Sequence, residues 1–260
     1  MHPFPRPEDR VPRYTAHRAT TPPDLDGRLD AACWRTAART TRFVDLVTGG
    51  GVALDTEAAI MWDDEHLYVG FRLEEPDVTA TLTERDAHIW LDDDVELFIA
   101  GPDVYYELEI NAFNTVYEVL FAWDDAALPE GLDRGDPLAA PFDGVDFDHP
   151  RGPRTGFWGF DLPGLRTAVH VDGTLNDDRD VDRGWSVEIA VPWASLAVLA
   201  GGRPLPPRDG DEWRIALARF NTDRDGSTTG WAWSPHGVWD AHIPELFPIV
   251  RFSTEPAPPA

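Results

Sequence analysis

The stretch Asp94-Val95-Glu96-Leu97-Phe98-Ile99-Ala100-Gly101-Pro102-Asp103-Val104-Tyr105-Tyr106-Glu107-Leu108-Glu109-Ile110-Asn111 decides the fold. Two runs alternate with period two around a Gly-Pro-Asp turn, which predicts a β-hairpin, because successive strand side chains face opposite sides. Val95, Leu97 and Ile99 share one face with Tyr106, Leu108 and Ile110, and that face is the core side. Asp94, Glu96 and Phe98 point the other way, as do Tyr105, Glu107, Glu109 and Asn111. A face that merely meets water would more often mix in Thr, Ser and Arg. Pairing these strands gathers glutamates, rings and an amide on one surface, where rings stack on pyranose faces and carboxylates accept hydroxyl protons. An ordinary wet acidic face is the competing reading.

The same period extends outward. Residues 57–63 and 66–74 form β-rich runs around Asp63-Asp64-Glu65, and 115–122 follows the hairpin after Phe113-Asn114. Further strands are expected at 165–171, 184–191, 211–220 and 230–234. Short strands broken by Gly, Pro and Asp turns mark an all-β sandwich or barrel. Helix is confined to turns at 30–38 and at 192–199, where Pro192 opens a helix acceptably. Residues 1–13 and 253–260 are rich in Pro and read as a mobile N-terminal arm and a flexible tail around one domain, 14–252. Within that domain, 123–164 holds little periodic signal and reads as a long loop excursion.

Composition narrows the partners. The formal net charge is −25, and all 22 basic residues are Arg. So acidic a chain repels phosphate backbones and anionic bilayers, which argues against nucleic acid and membrane, while tolerating cations and neutral sugars. Eleven Trp in 260 residues exceed what one core needs, so some are expected to face a ligand. Cys33 is the single cysteine and reads as a small buried hydrophobe; it cannot form an intrachain disulfide. No apolar run of signal-peptide type follows Met1. As written the chain is expected in the cytoplasm, or outside the cell as a mature or truncated form. Oligomeric state is not legible.

Trp90 sits in a polar segment before the acidic strand and is expected to be exposed. The run Asp92-Asp93-Asp94 offers the oxygens a hard cation such as Ca²⁺ takes, but it lacks EF-hand spacing, and a strand-capping turn or solvated acidic loop is the favoured reading. Near the C-terminus, Trp231, Trp233 and Trp239 crowd together with His236 and His242. The sharper reading puts His242 and Glu245 at the rim of a site; the plainer one keeps the histidines structural.

These blocks resemble carbohydrate-binding module family 9. The resemblance runs through Asp26-Gly27-Arg28-Leu29-Asp30 with Trp34, Trp62-Asp63-Asp64-Glu65-His66-Leu67-Tyr68-Val69, Trp90 with Asp94–Phe98, and Tyr105–Asn111. It resumes at 184–193, 233–235 and 242–247. The resemblance implies a jelly-roll β-sandwich that binds glucan or xylan ends, or small sugars, between two Trp rings, serving polysaccharide catabolism. It also implies structural Ca²⁺ in some members and no organic cofactor. Trp90 matches one stacking Trp, Glu96 a hydroxyl-binding carboxylate and Asn111 a site amide. Glu109 stands where sugar binders of the family carry Arg, and Trp239 is the nearest match to the second stacking ring. The expected ligand residues are therefore Trp90, Glu96, Tyr105, Glu109, Asn111, Trp239 and His242.

The rival to a binding protein is a carbohydrate-active enzyme, since same-face glutamates on paired strands fall within the roughly 5–9.5 Å that hydrolytic carboxylate pairs span. Haem binding is a third class. It needs His or Met ligands; Met1 lies in the expected arm and Met61 in a strand, while eight His leave that reading open.

Overall fold

The computed structural model describes residues 3–222 and 226–257. The first two residues of the expected arm and the last three of the expected tail lie outside them. Fourteen strands join one hydrogen-bonded network among the described residues. In chain order they are β1 (Arg13–Arg18), β2 (Val44–Asp45), β3 (Thr56–Trp62), β4 (His66–Glu74), β5 (Asp94–Ala100), β6 (Val104–Asn111) and β7 (Val116–Trp123). Then follow β8 (Ala139–Phe142), β9 (Arg154–Phe157), β10 (Arg166–Asp172), β11 (Gly184–Pro192), β12 (Glu212–Thr222), β13 (Thr228–Ala232) and β14 (Ile249–Ser253). Two helices, α1 (Ala32–Thr36) and α2 (Ala197–Ala200), and a few 3₁₀ turns complete the described residues. The all-β expectation holds.

The strand order β10-β11-β4-β3-β1-β14-β12-β5-β6-β7-β9-β8 bends round a single core. Val69, Phe71, Val187 and Ile189 from one leaf pack in the same cluster as Val95, Leu97, Leu108, Ile110 and Leu217 from the other. β1 hinges the leaves: it runs parallel to β14 along most of its length and to β3 at His17 and Arg18. The result is a two-leaved sandwich.

Each leaf is also covered on its outer face. On the β3–β4–β11 leaf the cover is the segment carrying Leu29, Cys33 and Trp34, packed on Ala59, Met61 and Tyr68. Glu188 ties it down, accepting from the backbone N–H of Asp26 and Gly27 and from the Trp34 indole. Gly27 adopts φ +82°, and any Cβ there would run into the backbone of Val169 and His170. The motif Asp26-Gly27 is thus a docking turn.

The second cover corrects two expectations. The excursion 123–164 is not all loop: β9 pairs with β7 and β8 with β9, extending the sheet edge. Short edge strands holding Pro141 and Gly156 leave no periodic trace in sequence. Its residues Phe142 and Trp158 pack with Phe98, Tyr105 and Phe121 on the outer face of β5–β7. That face is consequently covered rather than solvent-exposed, since every residue of β5, β6 and β7 is buried. Residues 3–12, expected as an arm, lie against the sandwich, with the Phe4 and His149 rings 5.5 Å apart and Ile249 N–H donating to the Pro12 carbonyl.

Candidate functional site

The register of four strands builds the floor. β5 pairs with β6 so that Asp94 faces Asn111, Glu96 faces Glu109 and Phe98 faces Glu107. β12 flanks them with Phe220 beside Asp94 and Ala218 beside Glu96. β7 adds Tyr117 beside Glu109 and Val119 beside Glu107. The row Ala218–Glu96–Glu109–Tyr117 crosses four strands, and its small end leaves room above the carboxylates.

Above this floor opens a cavity of about 530 Å³, with Trp90, Trp158, Trp239, Tyr117, Phe142 and Phe220 among its walls. Trp90 lies in the 3₁₀ turn Ile89–Leu91 and is 38% exposed, stacked on His88 at 4.4 Å and edge-on to Tyr117 at 5.1 Å. The Trp158 indole donates to the Tyr117 hydroxyl at 2.9 Å, and Trp239 meets Phe220 edge-on at 5.5 Å. Gly230 lies beneath both, where a Cβ would press into their rings. The fourth side is Asp240, Ala241 and His242. Asp240 fixes that loop by accepting from the N–H groups of His242, Val145 and Asp146.

The floor is electrostatically unusual. Asp94 Oδ2, Glu96 Oε2 and Glu109 Oε2 are buried and accept no hydrogen bond among the described residues. Burial pushes all four carboxyls, those of Asp94, Glu96, Glu107 and Glu109, well above the ordinary range, and repulsion among them adds to it. His242 Nε2 stands 3.5 Å from Glu107, while its Nδ1 lies 3.3 Å from the Tyr105 hydroxyl. Burial holds the His242 imidazole down at about 3, so it faces Glu107 as a neutral ring. Behind it, Arg154 is buried among Trp123, Phe142 and Tyr105 at 4.9, 5.0 and 5.5 Å, and none of its guanidinium nitrogens has a hydrogen-bond partner among the described residues. Buried polar atoms without a partner are rare, so a group of them above one floor calls for a partner from water, ion or ligand.

Of the residues expected at a site, Trp90, Glu96, Glu109, Trp239 and His242 surround this one cavity, joined by Glu107. Tyr105 and Asn111 share the face but not the lining. Tyr105 is stacked on Phe121 at 4.8 Å beneath His242. The Asn111 amide donates to the Leu82 carbonyl and Asp92, and its oxygen accepts from the N–H groups of Phe113 and Thr115. Glu245 pairs with His149 at 2.9 Å, outside the lining. Tyr117, Phe142, Trp158 and Phe220 were not foreseen. Parity would have placed Tyr117 once β7 was paired with β6, whereas Phe142 and Trp158 come from the excursion.

The Asp run divides its work. Asp92 accepts from Thr81, Leu82 and Asn111, and Asp93 from Thr79 and Thr222, so both organise backbone. Asp94 instead joins Glu96 and Glu109, whose ligand oxygens lie within 4.8 Å of one another, a grouping with the geometry to hold a metal ion. A wider groove of about 650 Å³ lies elsewhere, between Arg28, Arg42, Arg72 and Arg183 on one hand and Asp55, Glu57, Glu74 and Asp172 on the other. Its charges compensate one another, and Trp185 is its sole indole.

Residues 25–126 match the model of the family described as carbohydrate family 9 binding domain-like, which bears out the resemblance read in the sequence. No curated protein matches the chain. Solved structures share the fold. A family 9 carbohydrate-binding module from Caldicellulosiruptor kristjanssonii in complex with cellotriose aligns with TM-score 0.56 and 14% identity over 94% of each chain. The same organism's module in complex with glucose aligns with TM-score 0.56 and 13% identity over 93% of this chain and 96% of that one. A putative carbohydrate-binding protein from Bacteroides uniformis gives TM-score 0.61 and 13% identity over 94% of this chain and all of its own.

Proposed function

We propose that this family 9-like protein binds a mono- or oligosaccharide in the aromatic cavity, with Trp90 and Trp239 taking sugar faces and Glu96, Glu107 and Glu109 taking hydroxyls. The observation that carries this reading is the pairing of a half-open indole at the mouth with orphaned carboxylate oxygens on the floor. Sugars present apolar ring faces and hydroxyl donors together, and the cavity answers both. Its volume falls in the range of roughly 300–1,000 Å³ typical of small-ligand sites. Glucose and cellotriose, the ligands of the two Caldicellulosiruptor complexes, are the first probes to try. Calcium is the ion this reading assigns to Asp94, Glu96 and Glu109, because hard cations prefer carboxylate oxygen and Asp92 and Asp93 are already committed.

Tryptophan fluorescence tests the reading. Titration with either sugar should shift the emission. Trp90→Ala should remove that shift and cost about 1–3 kcal/mol of affinity, the scale of burying a large side chain, with melting little changed. A Trp90→Ala protein that binds sugar normally but melts early would make Trp90 a packing residue and end this assignment.

A further inference from the structure

We infer that a divalent cation seated by Asp94, Glu96 and Glu109 forms part of the ligand surface, so that saccharide binding in this cavity requires calcium. The inference rests on the saccharide reading above and adds to it a condition.

Three observations carry it. Asp94, Glu96 and Glu109 each present a buried oxygen that no donor among the described residues satisfies, and their ligand oxygens lie within 4.8 Å of one another. Oxygens on opposite sides of a calcium ion stand about 5 Å apart, so one ion can touch all three. Second, no Arg or Lys lines the cavity among the described residues. The nearest guanidinium, Arg154, lies behind His242 and acts on Glu107, so no cation among the described residues lines the space above Asp94, Glu96 and Glu109. Third, the trio cannot complete a coordination shell. Calcium takes roughly six to eight oxygens, and Asp94 Oδ1 already accepts from the Phe220 N–H. Three carboxylates less that oxygen leave at most five. Glu96 and Glu109 line the cavity while Asp94 is sealed beneath, so the open positions face the space between Trp90 and Trp239. Neighbouring sugar hydroxyls are suited to fill them, with Glu96 and Glu109 sharing their remaining oxygens between ion and hydroxyl.

Asp94 makes the test clean, because it has no surface in the cavity and reaches a sugar only through the ion. The full chain is stripped with chelator and dialysed against calcium alone. About one ion per chain should bind and raise the melting temperature beyond sodium chloride at matched ionic strength. Asp94→Asn and Glu109→Gln should each lose that ion, and the exposed control Asp30→Asn should keep it. Calorimetric titration with glucose and cellotriose should then show affinity falling about tenfold or more on chelation and in Asp94→Asn. Equal sugar affinity with and without calcium overturns the inference and leaves the saccharide reading standing. Calcium retained by both floor variants places the ion elsewhere and overturns it too. If neither sugar binds in calcium, both readings fall.

Discussion

Asp94, Glu96, Glu107 and Glu109 occupy one buried patch, and burial pushes each carboxyl well above its usual range. A carboxyl raised in this way contributes stability below its unfolded pKa, and loses it as pH climbs through the folded value. His236 and His242 act in the opposite sense. Burial pushes both down, so their contribution is complete above the ordinary histidine value of about 6.5 and fails as pH falls. Above that value the two histidines are settled, while the raised carboxyls still change. The chelated protein should therefore lose melting temperature as pH rises above the histidine range, beyond about 6.5, and Asp94→Asn should flatten that slope by removing one buried charge. A wild-type slope no steeper than the variant's would show that the patch titrates like surface carboxylates. Parity placed Glu96, Glu107 and Glu109 together from sequence alone, because period two fixes sides. It could not reveal that the side is sealed, since the seal comes from residues 139–158 and 228–247, distant in sequence. Asn111 shows the same limit: its face was legible, but the Leu82 carbonyl and Asp92 that consume its amide were not.

β12 shows how one strand serves two faces. Phe220 lies over the cavity, while Arg219, one residue before, is fully buried on the opposite side. Its guanidinium donates to Glu75 at 2.5 Å, to Asn221 and Thr56 side chains and to the Glu74 carbonyl, and stacks over Trp231 at 4.5 Å. It joins β12 to the ends of β3 and β4, so the two leaves share one buried cation. Removing one partner of such a pair strands the other charge in low dielectric. Arg219→Met should cost about 3–5 kcal/mol in urea unfolding, and adding Glu75→Gln should recover part of it. Sugar affinity should hold, because the cavity face is untouched; a variant with unchanged stability would make the network dispensable. Strands such as β5, β6 and β11 were legible because apolar residues alternate between polar ones or run to the core. The edge strands β8 and β9 were not, being only four residues long and defined by partners rather than pattern. β1 carries a readable alternation, Tyr14 and Ala16 inward, but its polar run follows the Pro-rich start and was masked by it.

At the scale of the molecule, 47 acidic residues against 22 arginines leave a formal charge of −25. Many arginines are paired, among them Arg151 between Asp103 and Asp125, yet pairing cannot supply the missing cations. The excess repels itself, and the folded state concentrates it. Two kinds of cation should relieve that repulsion differently. Sodium chloride screens exposed charges over a Debye length of about 8 Å at physiological ionic strength, but it does little for the buried carboxyl of Asp94. Melting temperature should thus rise with sodium chloride and level off once surface repulsion is screened, with Asp94→Asn showing nearly the same rise. Differential scanning calorimetry of both proteins across a salt series checks this. A flat wild-type response would mean that the surface pairs already balance the field; a rise lost in Asp94→Asn would mean that salt acts at the floor. The same field predicts ligand choice. Neutral glucans can approach a strongly negative mouth that sulfated or uronic polymers must approach against repulsion, so at low salt a neutral cello-oligosaccharide should bind more tightly than an oligouronate of equal length, with the gap narrowing as salt is added.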